Sequence, residues 1–181
     1  MVFDSKRKKT VMFGGVDNNN AIVNDTWEWN GTEWTQVADT GPAARRFHSM
    51  AFDSERDKSV MFGGVDNNFN ALSNTWEWDG TEWEQVANIG PGPRYLHSMG
   101  FDSERNKTVM FGGGDSNGII MNDTWVWDGK FWTQRQDMGP ARAIHSVAFD
   151  SQKQRVVLFG GTDSTGYKAD TWELKVEINT E

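Results

Sequence analysis

The sequence predicts an all-β fold built from about four tandem, four-stranded antiparallel units, and three observations predict it. The first is a repeat: Gly14, Gly63, Gly112 and Gly160 are spaced by 49, 49 and 48 residues, and about 30 of 49 positions agree between the first two copies. The second is composition, with 10 tryptophans and 19 glycines among 181 residues. Tryptophan supplies contact area and glycine supplies turns, which suits many short strands. The third is local: every unit alternates short apolar runs with Gly-Gly, Gly-Pro or Asp-Gly breaks. A fixed period of this length marks a repeat architecture whose units stack to bury a shared core. The units read as about 1–49, 50–98, 99–146 and 147–181 of a single domain.

The second copy illustrates the elements in order. His48-Ser49-Met50-Ala51-Phe52 opens the unit as an alternating strand, and the polar tip Asp53 to Lys58 turns the chain. Val60-Met61-Phe62 returns and ends at Gly63-Gly64. A polar loop, Val65 to Asn74, leads to Thr75-Trp76-Glu77-Trp78. Asp79-Gly80 has the composition of a two-residue type I′ hairpin loop. Such a loop sets Trp78 opposite Thr81, Glu77 opposite Glu82 and Trp76 opposite Trp83. Side chains alternate along a strand, so Trp76, Trp78 and Trp83 share one face. The glutamates of the other face, Glu77 and likewise Glu28, call for a basic residue or solvent to meet them. In the third copy that position is Val126.

Several function classes are excluded or disfavoured. Absence of cysteine removes disulfides, thiolate metal sites and cysteine nucleophiles. A formal net charge of −8 disfavours broad phosphate contact, so no nucleic-acid partner is expected. No apolar run approaches a membrane span and the N-terminus has no signal-like stretch, so neither a membrane nor a particular compartment is indicated. The basic cluster Lys6 to Lys9 falls on a repeat tip and reads as a solvated turn.

An apolar run ending in Gly-Gly, followed by a Thr-Trp segment, recurs four times, three of them as Thr-Trp-x-Trp: Thr26-Trp27-Glu28-Trp29, Thr75-Trp76-Glu77-Trp78, Thr124-Trp125-Val126-Trp127 and, with leucine last, Thr171-Trp172-Glu173-Leu174. The pattern resembles the kelch repeat over nearly the whole chain. That resemblance implies a β-propeller of four-stranded blades, with the His48 strand and its equivalents innermost. The last unit lacks an Asp-Gly turn and a return tryptophan after Trp172, so its outer strand is expected to be missing. Trp78-Asp79 superficially suggests a WD40 repeat, which the di-glycine and the period fit less well.

Candidate chemistry is sparse. His48, His97 and His145 each stand in an Arg-x-x-His-Ser segment, after Arg45, Arg94 and Arg142. A group repeated in every unit reads as structural, and the alternative is a ring of metal-binding imidazoles around the channel. Copper oxidases among kelch propellers use a cysteine-crosslinked tyrosine, which this chain cannot build. The Asp/Asn loops at Asp17, Asp66, Asp115 and Asp163 lack a second, distant acidic ligand for calcium and read as Asx turns. No catalytic residue, cofactor or metal is therefore expected. A protein-interaction or scaffold module is the first reading. A carbohydrate-binding propeller is second and part of a propeller enzyme third. A sugar site would need an open tryptophan ring on a loop face.

Alternating strands put the short tips on one face and the longer loops on the other. The long-loop face varies between copies at Arg46, Phe47, Phe69, Tyr95, Leu96, Ile119, Ile120, Met121, Tyr167 and Lys168. Loops on a rigid scaffold commonly carry recognition, so the binding surface is expected there. Three arrangements remain open for the ends: a four-bladed ring, a segment of a longer propeller, or a homodimer closing an eight-bladed ring, which closed two-fold symmetry favours.

Overall fold

The computed structural model describes residues 1–135 and 139–174, all of them strand, turn or loop. Blade 1 is β1 (Val2–Asp4), β2 (Lys9–Val16), β3 (Ile22–Trp29) and β4 (Trp34–Ala38). Blade 2 is β5 (Ser49–Asp53), β6 (Lys58–Phe62), β7 (Thr75–Trp78) and β8 (Trp83–Ala87). Blade 3 is β9 (Ser98–Asp102), β10 (Lys107–Phe111), β11 (Thr124–Trp127) and β12 (Trp132–Arg135). Each of these is a meander in which every strand pairs antiparallel with the next. Blade 4 pairs β13 (Ser146–Asp150), β14 (Arg155–Phe159) and β17 (Thr171–Leu174), with a small hairpin of β15 (Thr162–Asp163) and β16 (Gly166–Tyr167) between them. The end of the last unit, residues 175–181, lies outside the described residues.

The innermost strands β1, β5, β9 and β13 pack side by side in that order, as a propeller requires. Met1 and Phe3 of blade 1 and Phe159 of blade 4 are exposed, so among the described residues the four blades form an open arc.

Each blade has two chemically distinct faces. The tryptophan face of blade 2 carries Met50, Met61, Trp76, Trp78 and Trp83, packed on Val11 and Phe13 of blade 1. The opposite face of blade 2 carries Ala51, Val60 and Phe62, packed on Met99, Met110, Trp125, Trp127 and Trp132 of blade 3. Val109, Phe111 and Val126 of blade 3 then meet Val156, Leu158 and Leu174 of blade 4.

Polar contacts tie the same faces together. Trp83 Nε1 donates to Thr26 Oγ1 at 2.9 Å and Trp132 Nε1 to Thr75 Oγ1 at 2.8 Å, each across a blade boundary. Trp78 Nε1 approaches Glu28 at 3.4 Å, and Trp127 Nε1 donates to Glu77 at 2.9 Å. These glutamates are buried, and a basic residue does meet each one. Arg56 donates twice to Glu77 at 3.0 and 2.7 Å, while Arg7 and Lys9 hold Glu28. Burial alone would favour protonation of Glu28; Lys9 and Arg7 outweigh it and lower its pKa. The Lys6 to Lys9 tip is thus partly ion-paired rather than merely solvated. At the third boundary the facing side chain is Leu174, which has no N–H to donate, and the glutamate position is Val126.

The expected hairpin register is two residues off. Trp78 pairs with Trp83, Glu77 with Glu84 and Trp76 with Gln85. The loop holds four residues because Asp79 Oδ1 accepts both the Thr81 and Glu82 amides, at 2.8 and 2.9 Å. Asn30 and Asp128 do the same in blades 1 and 3. A shift of two preserves the faces, so the three tryptophans still share one side. The packed pair is Trp78 with Trp83, ring centres 5.6 Å apart, rather than Trp76 with Trp83.

Candidate functional site

The linker into each new blade builds the long-loop face. Its arginine is buried and tied to neighbouring carbonyls and side-chain acceptors. Arg94 donates to the carbonyls of Gly92 and Gly112 and bidentately to Asp123, at 2.6 and 2.8 Å. Arg142 reaches Asp163 and Asp170. Arg45 makes the same carbonyl contacts to Ala43 and Gly63, but its side-chain partner is Asn74 Oδ1 at 2.8 Å. Burial with no carboxylate in that place pushes Arg45 down to about 10.

Three residues on, the histidine turns inward. His48, His97 and His145 meet the edges of Phe13, Phe62 and Phe111, with centroid separations of 5.7, 5.6 and 5.5 Å. Burial holds them neutral, helped by the neighbouring arginine at His97 and His145 and by the N-terminal amine and Arg45 at His48: His48 falls to about 3, His145 to about 4 and His97 well below its ordinary value. These imidazoles are wedges in the inner wall. Among the described residues no group of three His, Asp or Glu side chains is disposed to hold a metal ion.

Between arginine and histidine the chain bends outward. Phe47, Leu96 and Ile144 occupy equivalent positions and adopt left-handed φ angles of 60°, 57° and 58°. The Leu96 amide donates to the Phe47 carbonyl at 2.9 Å, and the Ile144 amide to the Leu96 carbonyl at 3.0 Å, so the three form a connected chain around the channel mouth. A bulky or β-branched residue in this conformation costs about 1–2 kcal/mol. Phe47 is nonetheless 44% exposed and Ile144 57% exposed, so neither is held there by burial of its side chain.

Phe69, 62% exposed at a φ of 61°, continues the patch. The Arg46 guanidinium lies between it and Phe47, 4.6 and 4.9 Å from the two ring centres, and Tyr95 stacks obliquely on Phe47 at 6.4 Å. Arg46, Phe47, Phe69, Tyr95 and Leu96 are thus brought together. Ile119 and Tyr167 are exposed further along, on the blade 3 and blade 4 loops. Ile120 and Met121 are half-buried: Ile120 bridges to Gly114, and the Met121 backbone bonds Gly113 and Arg142. Lys168 is engaged by Asp163 and Thr165.

The residue missing from the sequence reading is Ile144. Its signal was positional, since Arg142-Ala143-Ile144-His145 aligns with Arg45-Arg46-Phe47-His48, but variation between copies drew attention to other positions. The loops beyond the di-glycines are Asx-closed. Asp66 Oδ1 accepts the Asn68 and Asn70 amides, and Asp17 and Asp115 repeat the pattern. Amide donors consume these carboxylates, with the Ala21 amide the first cause of the lowered Asp17 pKa. On the outer rim, Val86, Ile89, Lys130, Phe131 and Trp132 line a shallow groove.

The chain matches the family model of the KLHDC2/KLHL20/DRC7 Kelch-repeats domain over residues 1–136. No curated protein matches it. It is similar to the solved structure of YjhT, with a TM-score of 0.73 at 14% identity, over 92% of this chain and 54% of that one. At that identity the likeness is one of fold, and this chain spans about half of YjhT. No helix among the described residues is long and apolar enough to cross a membrane.

Proposed function

Because the chain belongs to the kelch-repeat family, whose repeats serve in general as protein-interaction modules, we propose that it binds a protein partner through its long-loop face and has no catalysis of its own. The observation that carries this is the strained apolar set of exposed Phe47 and Ile144 and half-buried Leu96, joined by exposed Phe69 and by Arg46. Strain at exposed positions is retained where the surface has work to do. Aromatic and arginine side chains are also the residues that dominate protein interfaces. The buried groups support a non-catalytic reading, since the arginines bind carbonyls and side-chain acceptors of the blade linkers and the histidines are held neutral against phenylalanine edges.

A glycan site is less well supported. The exposed tryptophans, Trp34 and Trp172, lie on strands at the two ends of the arc, and the open rings of the loop face are Phe47, Phe69 and Tyr167. Chemical-shift mapping with a captured protein partner tests the proposal. Shifts clustered at 46–47, 69, 95–96 and 144 are expected. Shifts confined to the Asp79-Gly80 and Asp128-Gly129 tips would contradict it.

A further inference from the structure

The long-loop face holds one cation of its own in an aromatic seat. The Arg46 guanidinium lies 4.9 Å from the ring centre of Phe47 and 4.6 Å from that of Phe69. Tyr95, 6.4 Å from Phe47, extends the aromatic wall. A cation within about 6 Å of a ring face is attracted by the ring's quadrupole. The seat belongs to one place in the repeat. Residues equivalent to Arg46 are Tyr95 and Ala143, and those equivalent to Phe69 are Asn20 and Gly118. That loop position is left-handed in all three blades, with φ of 61° at Asn20, 61° at Phe69 and 80° at Gly118. Asparagine and glycine enter this region readily, and phenylalanine does not. Phe69 is also exposed, so neither the turn nor the core calls for a phenylalanine there. Its ring meets Arg46.

Arg46 is a poor match for its own seat. Arg94 and Arg142 bond carboxylates, and Arg45 an amide oxygen. Arg46 makes no ion pair among the described residues, and its Nε is buried with no acceptor. Release of this guanidinium to water satisfies that donor and offsets part of the lost ring contacts. The surroundings favour a cation. Phe69 stands on the loop of Asp66, whose carbonyl accepts the Phe69 amide at 3.1 Å, and the Ser116 hydroxyl joins this loop to that of Asp115. The Asn70 side chain at Asp66 and the amides of Ala21 at Asp17 and Ile119 at Asp115 lower these pKa values, so all three carboxylates stay ionised. The whole chain has a formal net charge of −8.

We propose that Phe47 and Phe69, flanked by Tyr95, are a clamp for an arginine side chain of the protein partner, and that Arg46 is its resident stand-in, displaced on binding. The clamp rests on the loop-face reading and adds the partner's chemistry: a guanidinium flanked by apolar residues, which the neighbouring Leu96 and Ile144 receive. An acidic partner would have to approach Arg46 past the aspartates of the same loops.

The test is an amide-shift titration of the full 181-residue chain with acetyl-Leu-Arg-Leu-amide, and with analogues carrying citrulline or glutamate in place of the arginine. Arg46→Ala empties the clamp. Alanine is the residue blade 4 has at that position, so circular dichroism and the urea midpoint should match wild type. The arginine peptide should shift residues 47, 69 and 95 with a dissociation constant on the order of millimolar, as suits a small ligand. Arg46→Ala should bind it about fivefold tighter than wild type, the worth of one exposed cation on two rings. The citrulline and glutamate analogues should bind about fivefold or more weaker. Adding Phe69→Gly, the residue of blade 3, should abolish the gain. An Arg46→Ala chain that binds no tighter than wild type overturns the clamp. So does equal binding of the citrulline peptide, absence of any saturable shift, or preference of wild type for the glutamate peptide, which would make Arg46 an anion receptor. Shifts at 47, 69 and 95 that ignore peptide charge refute the clamp and leave the loop-face reading standing, whereas shifts confined to the Asp-Gly tips count against both.

Discussion

Removing the Glu77 carboxylate should unmask the rule that joins the blades. Glu77 is buried, accepts two bonds from Arg56 and one from Trp127 Nε1, and sits where Val126 meets Leu174 at the next boundary. Glu77→Val takes away the acceptor and leaves a buried indole N–H and a half-buried guanidinium without their partner. An orphaned buried donor costs about 1–3 kcal/mol, and breaking a buried ion pair from one side about 3–5 kcal/mol. Arg56 keeps Asp53 at 2.7 Å and partial access to water, so the lower end, about 3 kcal/mol, is expected. Trp127→Leu alone should cost about 2–4 kcal/mol through lost packing. Together they rebuild the Val126–Leu174 pairing, so the double variant should be less destabilised than the sum by about 1–2 kcal/mol. Urea unfolding of the four proteins gives this coupling directly. A coupling within about 0.3 kcal/mol of zero would refute the reasoning and make the Glu–Trp contact incidental.

Three other outcomes are expected. Asn74→Asp gives Arg45 the carboxylate that Arg94 and Arg142 already have, and should raise stability by about 1 kcal/mol in urea; a loss would show that this site is tuned to the neutral amide. The depressed histidines bind protons more readily unfolded than folded, so stability should be flat above about pH 6.5 and fall from there toward pH 4 by about 1.4 kcal/mol per pH unit for each of His97 and His145; urea midpoints unchanged between pH 7 and 5 would contradict this. Ile144→Gly relieves a left-handed isoleucine and should leave the urea midpoint unchanged or higher, whereas a loss above about 1 kcal/mol would mean that the side chain is held by packing.

Much of the architecture was legible because the repeat displays the same residue types in the same roles three or four times. The strand order and the shared tryptophan face follow from periodicity. The hairpin register did not, because Asp79-Gly80 suits a two-residue loop and a four-residue one equally. The choice rests on the Asp79 carboxylate capturing the Thr81 and Glu82 amides, which alternation cannot reveal. The glutamates were expected to meet a basic residue or solvent, and Arg56 and Lys9 do meet them from the same blade; the tryptophans that reach them from the next blade were not legible. Sequence variation pointed to Phe47, Phe69 and Tyr95 but passed over Ile144, whose distinction is a backbone angle.

The most direct test of the account is protein capture by the immobilised chain, compared with a Phe47→Ser, Phe69→Ser, Ile144→Ser variant and with an Asp128→Ser variant at an opposite-face tip. The three loop-face side chains are exposed, so that variant should fold as wild type does. A partner retained by wild type and by the tip variant, and lost with the loop-face variant, is the predicted result. A partner retained by the loop-face variant and lost with the tip variant would contradict the account.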